Sequence, residues 1–481
     1  MRKRYFLILL LAYLAISCNE NPVIDDEEET TDTTSVTTDT ANQSINRWIL
    51  GQMQTYYLWE DKLPEVSDLN ASDPESFFYS LLYDDLDKWS FITDDYSALS
   101  AELEGIPTSM GYSPAFYLYN NSENVLIVVE YVYPNSPAET AGLKRGDIIL
   151  TIDGSLLDTA NYYELYSGSS YTVELGDFSA STGKLSYSGT TLRMNAAFIK
   201  ADPAIYHSVI ETNGYKTGYL VYTQFVSGEN NEYLATLDAI FDEFYGAGVT
   251  NLIVDLRYNP GGSIDCAGYM ASAIAPSSVV STGSVLVNMD YNELLDYYFY
   301  YYEGQNSENL VFRFPANNHN LNLSTVYFLT TTGTASASEL LISGLFPYMN
   351  CVVIGESTYG KYTGAFVISD YNTPPQHNWA IIPIVLKYAN AAGFTDFSDG
   401  LTPDYALIDD LTSAVPFGDT SDLFLAKALA LITGESGVTV AKSATLPVNF
   451  KKIISKQQIL RKNLFIDGKQ LDGRRKVQDN Y

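Results

Sequence analysis

The sequence predicts a multidomain α+β protein with a helical N-terminal segment, a β domain and an α/β core. Three observations predict it. Apolar residues recur at helical spacing from residue 45 to about 105. From about 106 the pattern changes to short β-rich runs between turn residues, and from about 205 to 435 strand-like runs alternate with helical ones. The boundaries that follow are 45–105, 106–198 and 199–435, preceded by a leader (1–17) and an acidic linker (18–44) and followed by a tail (436–481).

The leader comes first. Arg2, Lys3 and Arg4 precede an apolar run from Tyr5 to Ile16, the pattern of a secretion signal, too short to span a bilayer. Leu14-Ala15-Ile16-Ser17-Cys18 resembles a bacterial lipoprotein box, with Ala15 where Leu is commonest. The resemblance implies lipidation at Cys18 and a lipid-anchored place on the outer membrane, periplasmic or surface-exposed. An ordinary cleaved signal is the alternative. Residues 19–44 carry eight acids, no base and seven Thr, too few apolar groups to offset the entropy of ordering.

In the helical segment, Ile45, Trp48, Ile49, Met53, Tyr56 and Tyr57 share one face, and Leu63-Pro64 ends the run. Asp73-Pro74-Glu75 reads as an N-cap followed by Pro at the first helical position, opening a helix with Phe77, Phe78, Leu81 and Leu82. Trp48 and Trp89 read as core. Strands are expected at 115–118 and 125–132, then a short capped helix at Ser136-Pro137-Ala138-Glu139-Thr140-Ala141-Gly142 and a strand before Asp153-Gly154. In the core, strands are expected at 218–225, 252–256, 326–329 and 352–354, with helices at 233–245, 267–274 and 339–345. The Tyr-rich stretch 290–303 reads as a helix with Tyr291, Leu294, Leu295, Tyr298 and Tyr302 turned inward.

Charge narrows the function. With 27 Lys+Arg and 58 Asp+Glu the formal net charge is −31, which argues against a nucleic-acid partner needing a basic face. The tail 440–481 reverses the sign, with ten bases and three acids. Docking on the acidic body, contact with a membrane surface and disorder are its open readings. Three His, three Cys and no HExxH or CxxC pair argue against a metal site, and no cofactor is expected. Cys266 and Cys351 read equally as a disulfide or as two buried thiols.

Three blocks carry chemistry. Gly333-Thr334-Ala335-Ser336-Ala337-Ser338-Glu339 follows a strand and opens a helix, whose N-terminus offers free N–H groups to an oxyanion. A lone Lys361 lies 25 residues on, in Gly355-Glu356-Ser357-Thr358-Tyr359-Gly360-Lys361. Ahead of both, Asp255-Leu256-Arg257-Tyr258-Asn259-Pro260-Gly261-Gly262 makes a glycine turn at a strand end. A desolvated Lys can serve as base for a serine hydroxyl. Its ordinary pKa of about 10.4 then needs lowering by roughly 2–3 pH units, so a dry pocket must outweigh an acidic body. Taken singly, Ser336 reads as a helix cap and Lys361 as a surface lysine. Ser338 and Glu339 read as structural, and His319, in an Asn-rich loop, is a poor triad candidate.

The stretch from Ser136 to Gly154 resembles a PDZ domain, and the three blocks in order resemble peptidase family S41, the C-terminal processing peptidases, over roughly 45–435. The resemblance implies an α/β core of the ClpP/crotonase type and a serine endopeptidase with Ser336 as nucleophile and Lys361 as general base. It also implies an oxyanion hole from the N–H groups of Gly262 and Ala337. The PDZ domain would hold peptide C-termini or unfolded segments at Met110, Gly111 and Tyr112, so the implied partners are protein or peptide substrates and, through the lipid, a membrane. Two positions depart from the pattern. Ala365 stands where a polar residue, often Gln, is common four positions after the Lys, and Tyr362 stands where a small residue is common. They leave open a third orienting group, or a non-catalytic peptide-binding lipoprotein on a degenerate core.

Overall fold

The computed structural model describes residues 41–69, 72–120, 122–435, 450–453 and 464–465. The leader, Cys18 and the linker up to Thr40 lie outside the described residues. Helix α1 (Ala41–Tyr56) starts four residues before the predicted boundary and buries Ile49, Met53 and Tyr56. Each large apolar side chain so buried contributes roughly 1.5–3 kcal/mol. In α2 (Pro74–Ser80), Asp73 accepts a hydrogen bond from the Ser76 N–H (3.1 Å) with Pro74 at the first turn, as its sequence dictates. Strand β1 (Phe91–Thr93) and helix α3 (Tyr96–Leu103) complete the segment. The segment is not a free-standing helical domain, because β1 pairs antiparallel with Ala380–Ile382 of the core.

The β domain is a twisted antiparallel sheet of β2 (Tyr112–Tyr119), β3 (Val125–Val132), β4 (Ile148–Ile152), β5 (Ser170–Ser179) and β6 (Lys184–Asn195), in that order. Two short helices cover it, α4 (Pro137–Ala141) and α5 (Tyr162–Tyr166). The Ser136 hydroxyl caps α4 by accepting from the Glu139 N–H (3.1 Å), and Gly142 ends it in the left-handed region at φ 93°. A bulge at Ser113/Pro114 accommodates the proline in β2.

The core holds two six-stranded sheets. The first runs β7 (Ala204–Thr212), β8 (Tyr215–Tyr222), β9 (Asn251–Asp255), then Thr325–Thr330, Asn350–Gly355 and Tyr405–Ala406, all parallel after the first hairpin. Helices α6 (Glu232–Ala247), α7 (Ile264–Ile274), α8 (Glu293–Tyr298), α9 (Ala337–Leu345) and α10 (Leu423–Thr433) pack around it. The second sheet includes Gly262–Ser263, Thr363–Ala365 and Ile384–Asn390. This is the α+β architecture expected.

Three details differ from expectation or resolve an open one. After α8 the chain winds into a π turn over Phe299–Glu303. The added residue shifts the helical face, so Phe299 is buried and Tyr302, expected inside, is 63% exposed. Cys266 and Cys351 are free thiols. Of the open readings of the tail, docking on the body is seen at two places: Phe450–Ile453 pairs antiparallel with β2, and Leu464–Phe465 pairs parallel with Gly262–Ser263.

Candidate active site

Ser336 sits at the mouth of α9, directly after the strand Thr325–Thr330 and a small-residue turn. Its backbone is at φ 61°, ψ −111°, a region that costs a non-glycine residue on the order of 1–3 kcal/mol and that the surroundings must impose. Glu339, one turn into the helix, supplies part of that restraint by accepting the Ser336 N–H on Oε2 (2.7 Å). Ser336 Oγ is buried and faces the Glu339 N–H in a capping-box arrangement, but makes no hydrogen bond of good geometry among the described residues. A buried hydroxyl held this loosely is a costly arrangement for a structural serine and an apt one for a nucleophile.

The glycine turn closes against it. Gly261 and Gly262 have φ of 112° and 134°. A methyl on Gly261 would lie 2.8 Å from Ser336 Cβ and 3.1 Å from the Ala337 N, and one on Gly262 would lie 2.2 Å from the Phe225 carbonyl oxygen. Asn259 fixes the turn: its Oδ1 accepts the Gly261 N–H (2.9 Å), and its carbonyl accepts both the Ala335 N–H and the Ser338 hydroxyl (3.1 Å each). The Gly261 N–H is thereby engaged, and the N–H of Ala337 opens the helix without an intrahelical acceptor.

Lys361 arrives from the next loop and is fully buried. Glu339 binds this loop as well, accepting the Lys361 N–H on Oε2 (2.9 Å), and the Gly360 N–H (2.6 Å) and Thr358 hydroxyl (2.5 Å) on Oε1. One carboxylate thus ties the Ser336 and Lys361 backbones together. The Tyr388 hydroxyl lies 3.3 Å from both the Ser336 and Lys361 carbonyl oxygens and can donate to either. Burial pushes the Lys361 amine down to about 7, against the opposing pull of Asp87 and Glu339. Burial also pushes Glu339 up to about 7, against the hydrogen bonds it accepts. The dry pocket required by the sequence is present, and Trp89, whose ring centre is 5.9 Å from Lys361 Nζ, forms part of it.

A buried charge cluster braces the site from behind. Arg257 pairs with Asp255 (2.7 Å), Asp409 (3.1 Å) and Asp422 (3.0 Å), and Arg145 of the β domain bonds the Tyr258 hydroxyl (2.6 Å) and the Glu130 carbonyl (2.7 Å). This cluster locks the strand end that launches the glycine turn and joins the β domain to the core.

Residues 216–407 match the model of peptidase family S41, residues 44–91 the peptidase S41 N-terminal domain, and residues 128–172 a PDZ domain. The chain carries a peptidase family S41 domain, preceded by an S41 N-terminal domain and a PDZ domain. The carboxyl-terminal-processing protease of Picosynechococcus is 25% identical over 349 residues, 72% of this chain and 74% of the relative. That of Synechocystis is 27% identical over 319 residues, 65% and 66% of the two chains. A solved structure of a candidate S41 protease from Bacteroides fragilis is similar at a TM-score of 0.67 and 28% identity, covering 81% of this chain and 98% of that one. Residues 216–407 are therefore a peptidase domain.

The structure brings Ser336, Ala337, the Gly261–Gly262 turn and Lys361 together. In the PDZ loop, Gly111 is at φ 82°, where a methyl would strike Ser136 Cβ at 2.2 Å. Met110 and Tyr112, in contrast, turn their side chains into the domain core, and the Tyr112 hydroxyl meets that of Tyr171 (3.0 Å). They can touch a peptide only through their backbone. His319 pairs with Asp242 (2.7 Å) on α6. Sequence reasoning missed Asp87, Tyr388 and the double reach of Glu339. Asp87 is buried, accepting from Tyr57 Oη (2.8 Å) and from the Trp89 and Ser90 N–H groups (3.0 and 2.9 Å), and its charge acts on Lys361. Ala365 is a buried strand residue and offers Lys361 no side-chain acceptor.

Proposed function

We propose that this S41 chain is a serine endopeptidase in which Lys361 takes the proton of Ser336 and the N–H groups of Ala337 and Gly262 receive the oxyanion. One observation carries the reading: a fully buried lysine with its amine lowered to about 7 sits on the loop that Glu339 binds to the backbone of a serine with a loosely held hydroxyl. A neutral Lys361 at pH 7–8 is able to act as base, and a strained serine at a helix N-terminus meets its oxyanion donors without rearrangement. Asp87 and Glu339 take the place of the missing polar residue at Ala365 by acting on Lys361 electrostatically. The substrates are peptide segments presented by the PDZ domain, near C-termini or in unfolded chains. The test is cleavage of an unfolded protein by the parent beside Ser336→Ala and Lys361→Ala. If either variant cleaves as fast as the parent, the pair is wrong.

We propose further that Cys18 carries lipid and holds the peptidase at the outer membrane. The signal-like leader, the lipoprotein box and the acidic spacer support it. Labelled fatty acid should enter the parent and not Cys18→Ala, and equal labelling of both would remove the proposal.

A further inference from the structure

The tail follows the path a substrate has to follow. Phe450–Ile453 lies on the outer edge of β2, with Phe450 opposite Tyr119 and Ile453 opposite Phe116. The strands are antiparallel, so the tail's C-terminal direction points along β2 toward Gly111, the polarity of a peptide whose C-terminus a PDZ loop holds. Side chains alternate as strand geometry requires. Phe450 is buried between the β domain and the core, with ring centres 4.9 Å from Phe178 and 5.6 Å from Tyr119, in one cluster with Tyr258 and Leu411. Lys452 pairs with Glu130 (3.3 Å), which also accepts the Ser113 hydroxyl (2.8 Å). Ile453 packs on the other face, against the cluster that holds Phe116, Tyr162 and Tyr166.

The second contact is at the chemistry. Leu464–Phe465 pairs in parallel with Gly262–Ser263 on one side, and Phe465 with Ala365 on the other. Gly262 belongs to the turn that touches Ser336, and Ala365 lies four residues beyond Lys361. The tail strand therefore fills the gap between the serine side and the lysine side of the site by backbone pairing.

We propose that the C-terminal tail is this peptidase's own tethered peptide ligand, seated on the PDZ edge at Phe450–Ile453 and between Gly262 and Ala365 at Leu464–Phe465. A substrate must displace it to reach Ser336. The second seat rests on the reading of Ser336 and Lys361 as the reacting pair, whereas the first stands without it. The tail also defines the chemistry of its competitor: an extended peptide with an aromatic residue, a base two positions on and an aliphatic residue next, the base read by Glu130. A tether holds its ligand at an effective concentration of about 1 mM, so a tail of weak intrinsic affinity (~100 μM) suppresses binding and turnover roughly tenfold.

The test uses the full-length chain. A labelled synthetic peptide of residues 446–468 is titrated into Ser336→Ala protein with and without the double change Phe450→Asp, Ile453→Asp. The released tail should let the probe bind about tenfold more tightly, and in the Ser336 background it should raise cleavage of an unfolded protein about tenfold. Glu130→Lys should release the tail likewise, and Lys452→Glu added to it should restore suppression, which a misfolded variant could not do. Equal probe affinity in released and parent forms overturns the proposal. Tighter probe binding with unchanged cleavage by an active parent overturns the seat at Gly262 and Ala365. Tighter probe binding by an inert parent supports the PDZ seat and sinks the Ser336 reading instead.

Discussion

The pocket at Lys361 and the edge of β2 solve opposite problems. In the pocket, nearly every polar group is buried and assigned: Glu339 accepts four hydrogen bonds, and Asp87 accepts three. Among the described residues, the Ser336 hydroxyl and the Trp89 Nε1 are left without a hydrogen bond of good geometry. At the edge, a row of backbone groups accepts any strand of suitable polarity, and specificity comes from a few side chains such as Glu130 and Phe116. The difference teaches that chemistry here is specified by fixed side chains in a dry site, and recognition by an open ladder. Substitutions in the pocket should therefore change rate with little change in peptide binding, and substitutions at the edge should act through binding, altering cleavage only as they release the tail or weaken the hold on a substrate.

The largest expected effect tests that separation directly. Ser336→Ala and Lys361→Ala should each lower kcat by about 10⁴-fold or more, because members of one catalytic unit fail together. Probe-peptide affinity at the PDZ edge should stay within about twofold. A large loss of affinity in either variant would show that the two regions are one coupled site.

Next in size is Glu339→Gln. It removes a carboxylate that binds both loops, and a loss of roughly 10–100-fold in kcat is expected, in line with removal of charge-assisted hydrogen bonds. The pH profile separates positioning from mere stability. Lys361, at about 7, must be neutral to act, so activity falls as pH drops below about 7. Glu339, also near 7, takes up a proton over the same range and weakens its hold on the loops. The parent's log kcat/KM should fall toward a slope of two, an apparent property of the coupled pair. In Glu339→Gln the slope should approach one. Its midpoint should also move to lower pH, because the lost negative charge no longer favours the charged lysine. An unchanged profile would leave Glu339 a structural cap, as its sequence context suggested.

Much of this was legible where the determinants are local. Ser136, Pro137 and Gly142 announce α4, and Asp73-Pro74 announces α2, because caps act within one turn. The small residues around Ser336 and the Gly261–Gly262 turn are read the same way. Asp87 was not legible: among Asp84, Asp85 and Asp87, only the fold decides which is buried beside Lys361. Tyr388 touches two carbonyls through pairing of distant strands, which no local pattern encodes. Tyr302 was misplaced because one π turn shifts a face that helical periodicity assumes constant. The tail's net positive charge masked its strand, because an edge partner is chosen by an unpaired ladder and two apolar side chains, not by composition.

The smallest effect is the finest probe of the comparison. Tyr388 is fully buried, and its hydroxyl lies at 3.3 Å from two carbonyls, so neither bond is short. Burial raises its pKa far above the ordinary range, with the Glu339 charge adding to the effect, so it stays a neutral donor at every working pH. A neutral bond of this kind contributes about 0.5–1.5 kcal/mol, and the acceptors it leaves each keep a second lone pair. Tyr388→Phe should therefore lower stability by about 1 kcal/mol in denaturant unfolding and kcat by about two- to fivefold. The pH midpoint should not move, because the change removes no charge near Lys361. A kcat loss as large as that of Glu339→Gln would mean that the two loops are held chiefly by the tyrosine. The carboxylate's part would then be confined to the charge it places beside the lysine.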